Sequence, residues 1–202
     1  MQARFSSVEE KLYKRFGPVG GAVASFLFEV VQIVLISSAI IIPIRYFLIQ
    51  PFYVKGASME PNFYDHEYLI IDELTYRFRD PFRGEILVFR YPRDPSQFFI
   101  KRIVGLPGET VEITGGNVII YNVEHPNGLV LEEEYLDDEQ TNGKVRVTLG
   151  EDEYYVFGDN RDASLDSRSF GPIQSDDVIG RVWVRGLPFS RMGTFDLPEY
   201  NL

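Results

Sequence analysis

The chain has 202 residues, 45% hydrophobic and 25% charged, which suits one or two compact domains and excludes a disordered or fibrous chain. Thirty Asp and Glu against 20 Lys and Arg give a formal charge of −10, so a sequence-independent grip on nucleic acid has no electrostatic source. Zero cysteines exclude a disulfide framework, a thiolate metal site and a cysteine nucleophile, and two histidines, His66 and His125, leave little for zinc; no metal and no cofactor is expected.

The N-terminal segment carries Arg4, Lys11, Lys14 and Arg15 against Glu9 and Glu10, just ahead of a long apolar run. From Val30 to Ile49 the sequence VVQIVLISSAIIIPIRYFLI supplies roughly the twenty residues needed to cross a bilayer core. Pro43 can kink such a helix without breaking it, and Arg45 sits near the far end, where its stem can snorkel to the interface. The run is too long for the core of a removable signal peptide, and no small-x-small cleavage site follows it. Four positive charges precede the span and only Lys55 follows closely, which predicts a cytoplasmic N-terminus. Residues 1–25 are therefore read as a cytoplasmic tail, 26–49 as one transmembrane helix and 50–202 as an extracytoplasmic domain.

Beyond the anchor, short runs rich in Val, Ile, Phe and Tyr recur between turn residues: EYLIID, GEILVFRY, FFIKRIVG, ETVEIT, NVIIYN, KVRVTL, EYYVFGD and VIGRVWVRG. That is a β pattern, and none of these runs sustains the 3.6-residue period of an amphipathic helix. Gly115, Gly116 and Asn117 mark a hairpin within Thr110–Asn122. Residues 124–153 hold ten acidic and two basic side chains, so about −8 of the net charge sits in one stretch, expected to be a solvated loop or flap. Its carboxylates lack the spacing of a calcium loop.

Three segments bear reactive residues. Gly56-Ala57-Ser58-Met59-Glu60-Pro61 describes a tight turn able to present a hydroxyl and its own N–H groups. In Phe98 to Gly108, strand alternation puts Lys101 and Arg102 on opposite faces, and either can be forced among apolar neighbours or left on the solvent side of an edge strand. Lys101 is one of only three lysines after residue 50, with Lys55 and Lys144. Burial would lower its pKa and make it a usable general base. In Gly158 to Arg168, many short polar side chains favour a structured turn, in which Asp166 and Arg168 can pair.

Taken in order, these segments resemble the signature boxes of the type I signal peptidases (leader peptidases), membrane-anchored serine peptidases that use a Ser/Lys dyad. The GxSMxP, KRIVGLPG and GDNRDxSxDSR elements all occur here, with Arg83 to Phe89 resembling the family's RGDIVVF strand and Gly180 to Trp183 its closing strand. The resemblance implies a mainly β fold, a signal-peptidase-like coiled β-sheet catalytic domain preceded by the N-terminal span, with about 110–153 as a small variable cap insertion.

It also implies roles. Ser58 would be the nucleophile and Lys101 the general base, with the Ser58 main-chain N–H as oxyanion donor in the region Gly56, Ala57 and Ser58. Ser164 would hydrogen-bond the lysine amine, and Asp166 and Arg168 would hold the polar loop that begins at Gly158. Many members place a hydroxyl two residues before the nucleophile as a second oxyanion donor; this chain has Gly56 there. The implied substrates are exported preproteins with small residues at the first and third positions before the cut. The implied setting is a bacterial plasma membrane, or a thylakoid membrane, with the lipid bilayer as a partner and no nucleic acid. Phe52, Tyr53, Phe63 and Tyr64 are candidate interfacial aromatics.

Two other readings stand beside this one. A self-cleaving Ser/Lys-dyad regulator would carry a DNA-binding helical domain and a cleavable linker, neither of which is evident, and an inert membrane-tethered peptide-binding β module would not need both Ser58 and Lys101. A Ser-His-Asp hydrolase finds no motif around either histidine.

Overall fold

The computed structural model describes residues 7–47, 49–136 and 140–201, and the chain divides between Phe47 and Leu48 into two units. The first is helix α1 (Ser7–Phe47), kinked at Gly17, immediately before Pro18. Its stretch Lys11–Pro43 is long and apolar enough to cross a membrane. From Pro18 to Pro43 the rise is about 39 Å, more than the ~30 Å of a hydrocarbon core. The Arg4 and Arg45 side chains, which carried part of the topology and snorkelling expectations, lie outside the described residues.

The second unit is built from antiparallel strands. In chain order they are β1 (Ile49–Tyr53), β2 (Tyr68–Asp72), β3 (Ile86–Tyr91), β4 (Asp94–Gly105), β5 (Thr110–Thr114), β6 (Asn117–Tyr121), β7 (Leu129–Val130), β8 (Val145–Thr148) and β9 (Glu153–Phe157). A single helical turn, α2 (Ser167–Phe170), precedes β10 (Ile173–Gln174), β11 (Val178–Leu187) and β12 (Gly193–Thr194). Each of the eight apolar runs named above forms a strand, and the Gly115-Gly116 turn joins β5 to β6 in register Thr110↔Tyr121. The fold is mainly β, as the sequence pattern indicated.

Among the described residues, the larger sheet runs β1-β2-β11-β3-β4-β9-β10, with β12 beside β11. Pro51 lies in β1, which among the described residues pairs only with β2, and an edge strand is where a residue without an N–H is tolerated. Strand β11 bridges two neighbours, pairing β3 with its first half and β2 with its second, through bulges at Val182/Val184 and Arg185/Leu187. A smaller sheet, ordered β7-β6-β5-β8, is formed from residues 110–148.

Period-two alternation explains the layering. Leu87 and Phe89 of β3 pack with Ile103, Val156 and Ile173 on one face, while Ile86 and Val88 pack with Val54, Met59 and Phe63 on the other. Beneath the smaller sheet, Val104, Tyr155 and Phe157 meet Val111, Ile113 and Ile120. β3 and β4 are thus covered on both sides over Ile86–Phe89 and Lys101–Gly105, which is where Lys101 sits.

Candidate active site

The turn after β1 carries Ser58, and β4 carries Lys101. The neck of this turn is closed by Val54 N–H to Glu67 O at 2.9 Å and His66 N–H to Val54 O at 3.1 Å, and Met59 and Phe63 fill its interior as fully buried core residues. Gly56 adopts φ +87°, a left-handed conformation that disfavours other residues, and its N–H donates to Asp65 Oδ1 at 2.9 Å. The expected tight turn is therefore real, and its apolar underside anchors it to the sheet.

Lys101 is 3% exposed, and its Nζ donates to Ser58 Oγ at 2.7 Å and to the Ile100 carbonyl at 2.8 Å. Among the described residues no carboxylate lies within ion-pair distance of this amine. Burial pushes the Lys101 pKa down from 10.5 to about 8, against the opposing fields of Asp166 and Asp159. Ser58 and Lys101 open onto a cleft of about 490 Å³ lined by Phe52, Val54, Leu69, Val88, Ile100 and Leu165, among others. On the cleft side, β4 pairs with β9 only from Arg102 onward, so residues 97–101 leave a strand edge without a partner among the described residues.

Arg102, the next residue, points the other way. Its guanidinium makes a two-pronged ion pair with Asp159, at 2.8 Å and 2.7 Å, and donates to Gly84 O at 2.9 Å. Both side chains are buried, and the Arg102 guanidinium also lies 4.1 Å over the Tyr135 ring. Asp159 Oδ2 accepts in addition from Asn62 Nδ2 at 2.9 Å. The loop of residues 158–166 is thereby fastened to β4 and to the Ser58 turn at once.

Further contacts complete that loop. Asp166 caps α2 and accepts from Arg168 Nε at 2.9 Å, Arg168 Nη2 at 2.8 Å and Gly158 N–H at 3.2 Å. Burial opposes its ionisation, but the Arg168 fork outweighs that cost and holds the Asp166 carboxyl below the usual carboxylate range. Arg168 Nη2 also donates to Arg161 O at 2.6 Å. Gly158 lies so close to the Ser58 carbonyl oxygen and to Ser164 Oγ that a Cβ there would collide with both. The pairing of Asp166 with Arg168 is as the sequence suggested.

Ser164 is arranged differently from what the resemblance implies. Its buried Oγ sits beside the Asp166 carboxylate without a completed hydrogen bond, while the Lys101 amine is held by Ser58 Oγ and Ile100 O. Phe63 also departs from expectation. It is 0% exposed, packed against Phe195 at 4.5 Å between ring centroids and under the Arg185 guanidinium, so it is core and not an interfacial residue. Tyr53 and Tyr64 are exposed and Phe52 is half-buried.

The acidic stretch is not uniformly solvated. Arg161 of the polar loop is buried and takes Glu133 as its two-pronged partner, at 2.8 Å and 2.6 Å, because a guanidinium removed from water requires a countercharge. Asn142 Nδ2 donates to Asp162 Oδ1 at 3.1 Å, a second tie between that stretch and the loop. The roles of Asp159, Asn160 and Glu133 were not legible beforehand: the first two lay inside a segment already singled out, but Glu133 is indistinguishable from its acidic neighbours in the sequence.

Residues 27–186 match the model of the family described as signal peptidase, peptidase S26. The chain is 39% identical over 158 residues to a probable signal peptidase I-2 of Synechocystis sp., covering 75% of this chain and 69% of that one. It is 35% identical over 179 residues to signal peptidase I of Leptolyngbya laminosa, covering 85% of each. A solved signal peptidase I from Enterococcus faecalis V583 is 34% identical, covers 52% of this chain and 97% of its own, and superposes with a TM-score of 0.44. The chain belongs to the signal peptidase family, peptidase S26.

Proposed function

We propose that this protein is a membrane-anchored serine endopeptidase that removes N-terminal signal peptides from exported preproteins, with Ser58 as nucleophile and Lys101 as general base. The observation that carries the assignment of roles is the 2.7 Å approach of a buried amine, without an ion-pair partner among the described residues, to a turn hydroxyl at the edge of an apolar cleft. A serine hydroxyl is too weakly acidic to attack unaided, and lysine serves as its base only when neutral. In that form one Lys101 N–H still donates to Ile100 O, which turns the lone pair toward Ser58 Oγ. The proton passes to Nζ as Oγ attacks the scissile carbonyl, and the ammonium then protonates the leaving amine. Water, deprotonated by the regenerated neutral amine, hydrolyses the acyl-enzyme. The Ser58 main-chain N–H faces the developing oxyanion.

The substrate segment is read as extended, lying against the open edge of β4 at residues 97–101, with small residues at the first and third positions before the cut. The apolar walls from Phe52, Val54, Leu69, Val88 and Ile100 support shallow pockets that a large side chain would overfill. The apolar part of α1 serves as the single membrane span, with the N-terminus cytoplasmic and residues 50–202 extracytoplasmic at a bacterial plasma membrane. Residues of about 110–153 form the variable cap.

The test is cleavage of a synthetic preprotein by the full chain in detergent. Ser58→Ala and Lys101→Ala should each abolish turnover, and a His66→Ala/His125→Ala double variant should retain most of it. Turnover surviving in Lys101→Ala would sink the dyad.

A further inference from the structure

The Ser58 N–H has no acceptor among the described residues, and it belongs to the peptide whose carbonyl is Ala57 O. In a trans peptide the C=O and N–H point in opposite directions, so whatever grips the Ala57 oxygen aims the Ser58 N–H. Two donors grip it: Glu60 N–H within the turn at 3.1 Å, and Asn160 Nδ2 from the polar loop at 3.1 Å. Asn160 is itself held at two further points. Its main-chain N–H donates to Ser58 O at 3.2 Å, and its Oδ1 accepts from Ala163 N–H at 3.0 Å. The Ala163 donor fixes which end of the amide is oxygen, so the NH2 group must face Ala57 O.

We infer that Asn160 is a positioning residue for the oxyanion donor: its side-chain amide holds the Ala57–Ser58 peptide with the N–H turned into the cleft, and its backbone holds the following carbonyl. The inference rests on the assignment of Ser58 as nucleophile. It also supplies a physical role for the chain's departure at Gly56, where a second oxyanion hydroxyl is missing. With one main-chain donor in use, its direction carries more of the charge stabilisation. Asp65, holding the Gly56 N–H at 2.9 Å, steadies the other side of the same turn.

Asn160→Asp discriminates, because it keeps the acceptor for Ala163 N–H and replaces the donor with an oxygen facing the Ala57 carbonyl, which repels it. The full chain in detergent is assayed on its alkaline plateau, so that a charge added near Lys101 does not enter. Turnover should fall on the order of 10-fold to 100-fold in kcat, with KM within about twofold. A substrate-like peptide aldehyde reads the same donor: Ser58 Oγ adds to its carbonyl carbon and the former carbonyl oxygen takes up the oxyanion position. Its affinity should fall by the same factor as kcat, while an uncleavable reduced-bond peptide, which has no carbonyl at that position, should bind as to the wild type.

Asn160→Ala retains the backbone contact to Ser58 O and should show the same pattern more weakly, with the rise of activity still centred near pH 8. Unchanged kcat in both variants overturns the inference, as does an equal loss of affinity for aldehyde and reduced-bond peptide, which indicates general damage to the cleft. Ser58→Ala, assayed alongside, separates the two levels: full turnover in that variant overturns the nucleophile assignment itself.

Discussion

Lys101 and Arg102, consecutive on β4, are buried on opposite faces of the sheet and treated in opposite ways: Arg102 is forked onto Asp159, whereas Lys101 meets, among the described residues, a hydroxyl, a carbonyl and the Phe99 ring. One cation is neutralised by a partner and stays charged. The other has no contacting countercharge among the described residues, and its ammonium form is the one that burial disfavours. A structural cation and a candidate base are thus made from neighbouring residues by the two-residue period of the strand.

The pH dependence follows from Lys101. Only the neutral amine accepts the Ser58 proton, so kcat/KM should rise with pH through an apparent pKa of about 8 and level off above it. A profile recorded with the full chain in detergent checks this. A rise centred near the unperturbed 10.5 would contradict the desolvation argument.

Stability should improve when the amine is removed. The folded-state pKa lies below the unfolded one, so the unfolded chain binds more protons between the two values and stability rises with pH across that interval. The penalty is fully present below pH 8 and vanishes as pH rises from about 8 to 10.5. Lys101→Met should therefore abolish activity yet stabilise the protein at pH 7, by on the order of 3 kcal/mol at most. Denaturant unfolding at pH 7 and pH 10.5 measures the difference, and the gain should shrink at the higher pH.

Breaking the partner pair should do the reverse. Arg102→Ala leaves the Asp159 carboxylate buried without its fork, at a cost of about 3 to 5 kcal/mol, and Arg102→Ala/Asp159→Ala should recover part of that loss. Thermal unfolding of the three variants and the wild type gives the coupling. An additive result would mean that the pair does not act as a unit.

Gly158→Ala should cost activity more than stability. The new Cβ collides with the Ser58 carbonyl oxygen, which is backbone and cannot rotate away, so the Ser58 main chain must shift. A loss of about 100-fold or more in kcat/KM is expected from a displacement of about 1 Å. Adding Ser164→Gly removes only the second collision and should not rescue turnover. Rescue in the double variant would place the damage at Ser164 instead.

Glu133→Gln should weaken the polar loop from a distance. It removes the negative charge paired with the buried Arg161 and leaves one oxygen to accept from the guanidinium where two did before, and about 2 kcal/mol or more of stability should go with it. Glu134→Gln, a neighbouring acid outside that pair, should change unfolding little. Equal effects from the two would restore the view of this stretch as undifferentiated surface charge.

Much of the fold was legible because alternation and turn residues are local signals: GEILVFRY, FFIKRIVG and EYYVFGD each announced a strand, and Gly115-Gly116 a hairpin. Phe63 was not legible, since an aromatic two residues after a proline in a turn reads the same whether it faces lipid or plugs the turn from below. Ser164 shows a related limit: a motif gives the residue but not the rotamer, and among the described residues its hydroxyl has no completed hydrogen bond while the Lys101 amine is held by Ser58 and Ile100.

By itself the sequence determined the chemistry available: one apolar helix, a β domain, a serine in a tight turn, and very few lysines in which a base could be found. Tertiary structure alone decided which groups meet. Ser58 and Lys101 are 43 residues apart, and Asn160 reaches Ala57 across 103. Such contacts depend on strand register and on which face of β4 is covered, and a desolvated amine or an aimed peptide N–H exists only once those long-range pairings exclude water.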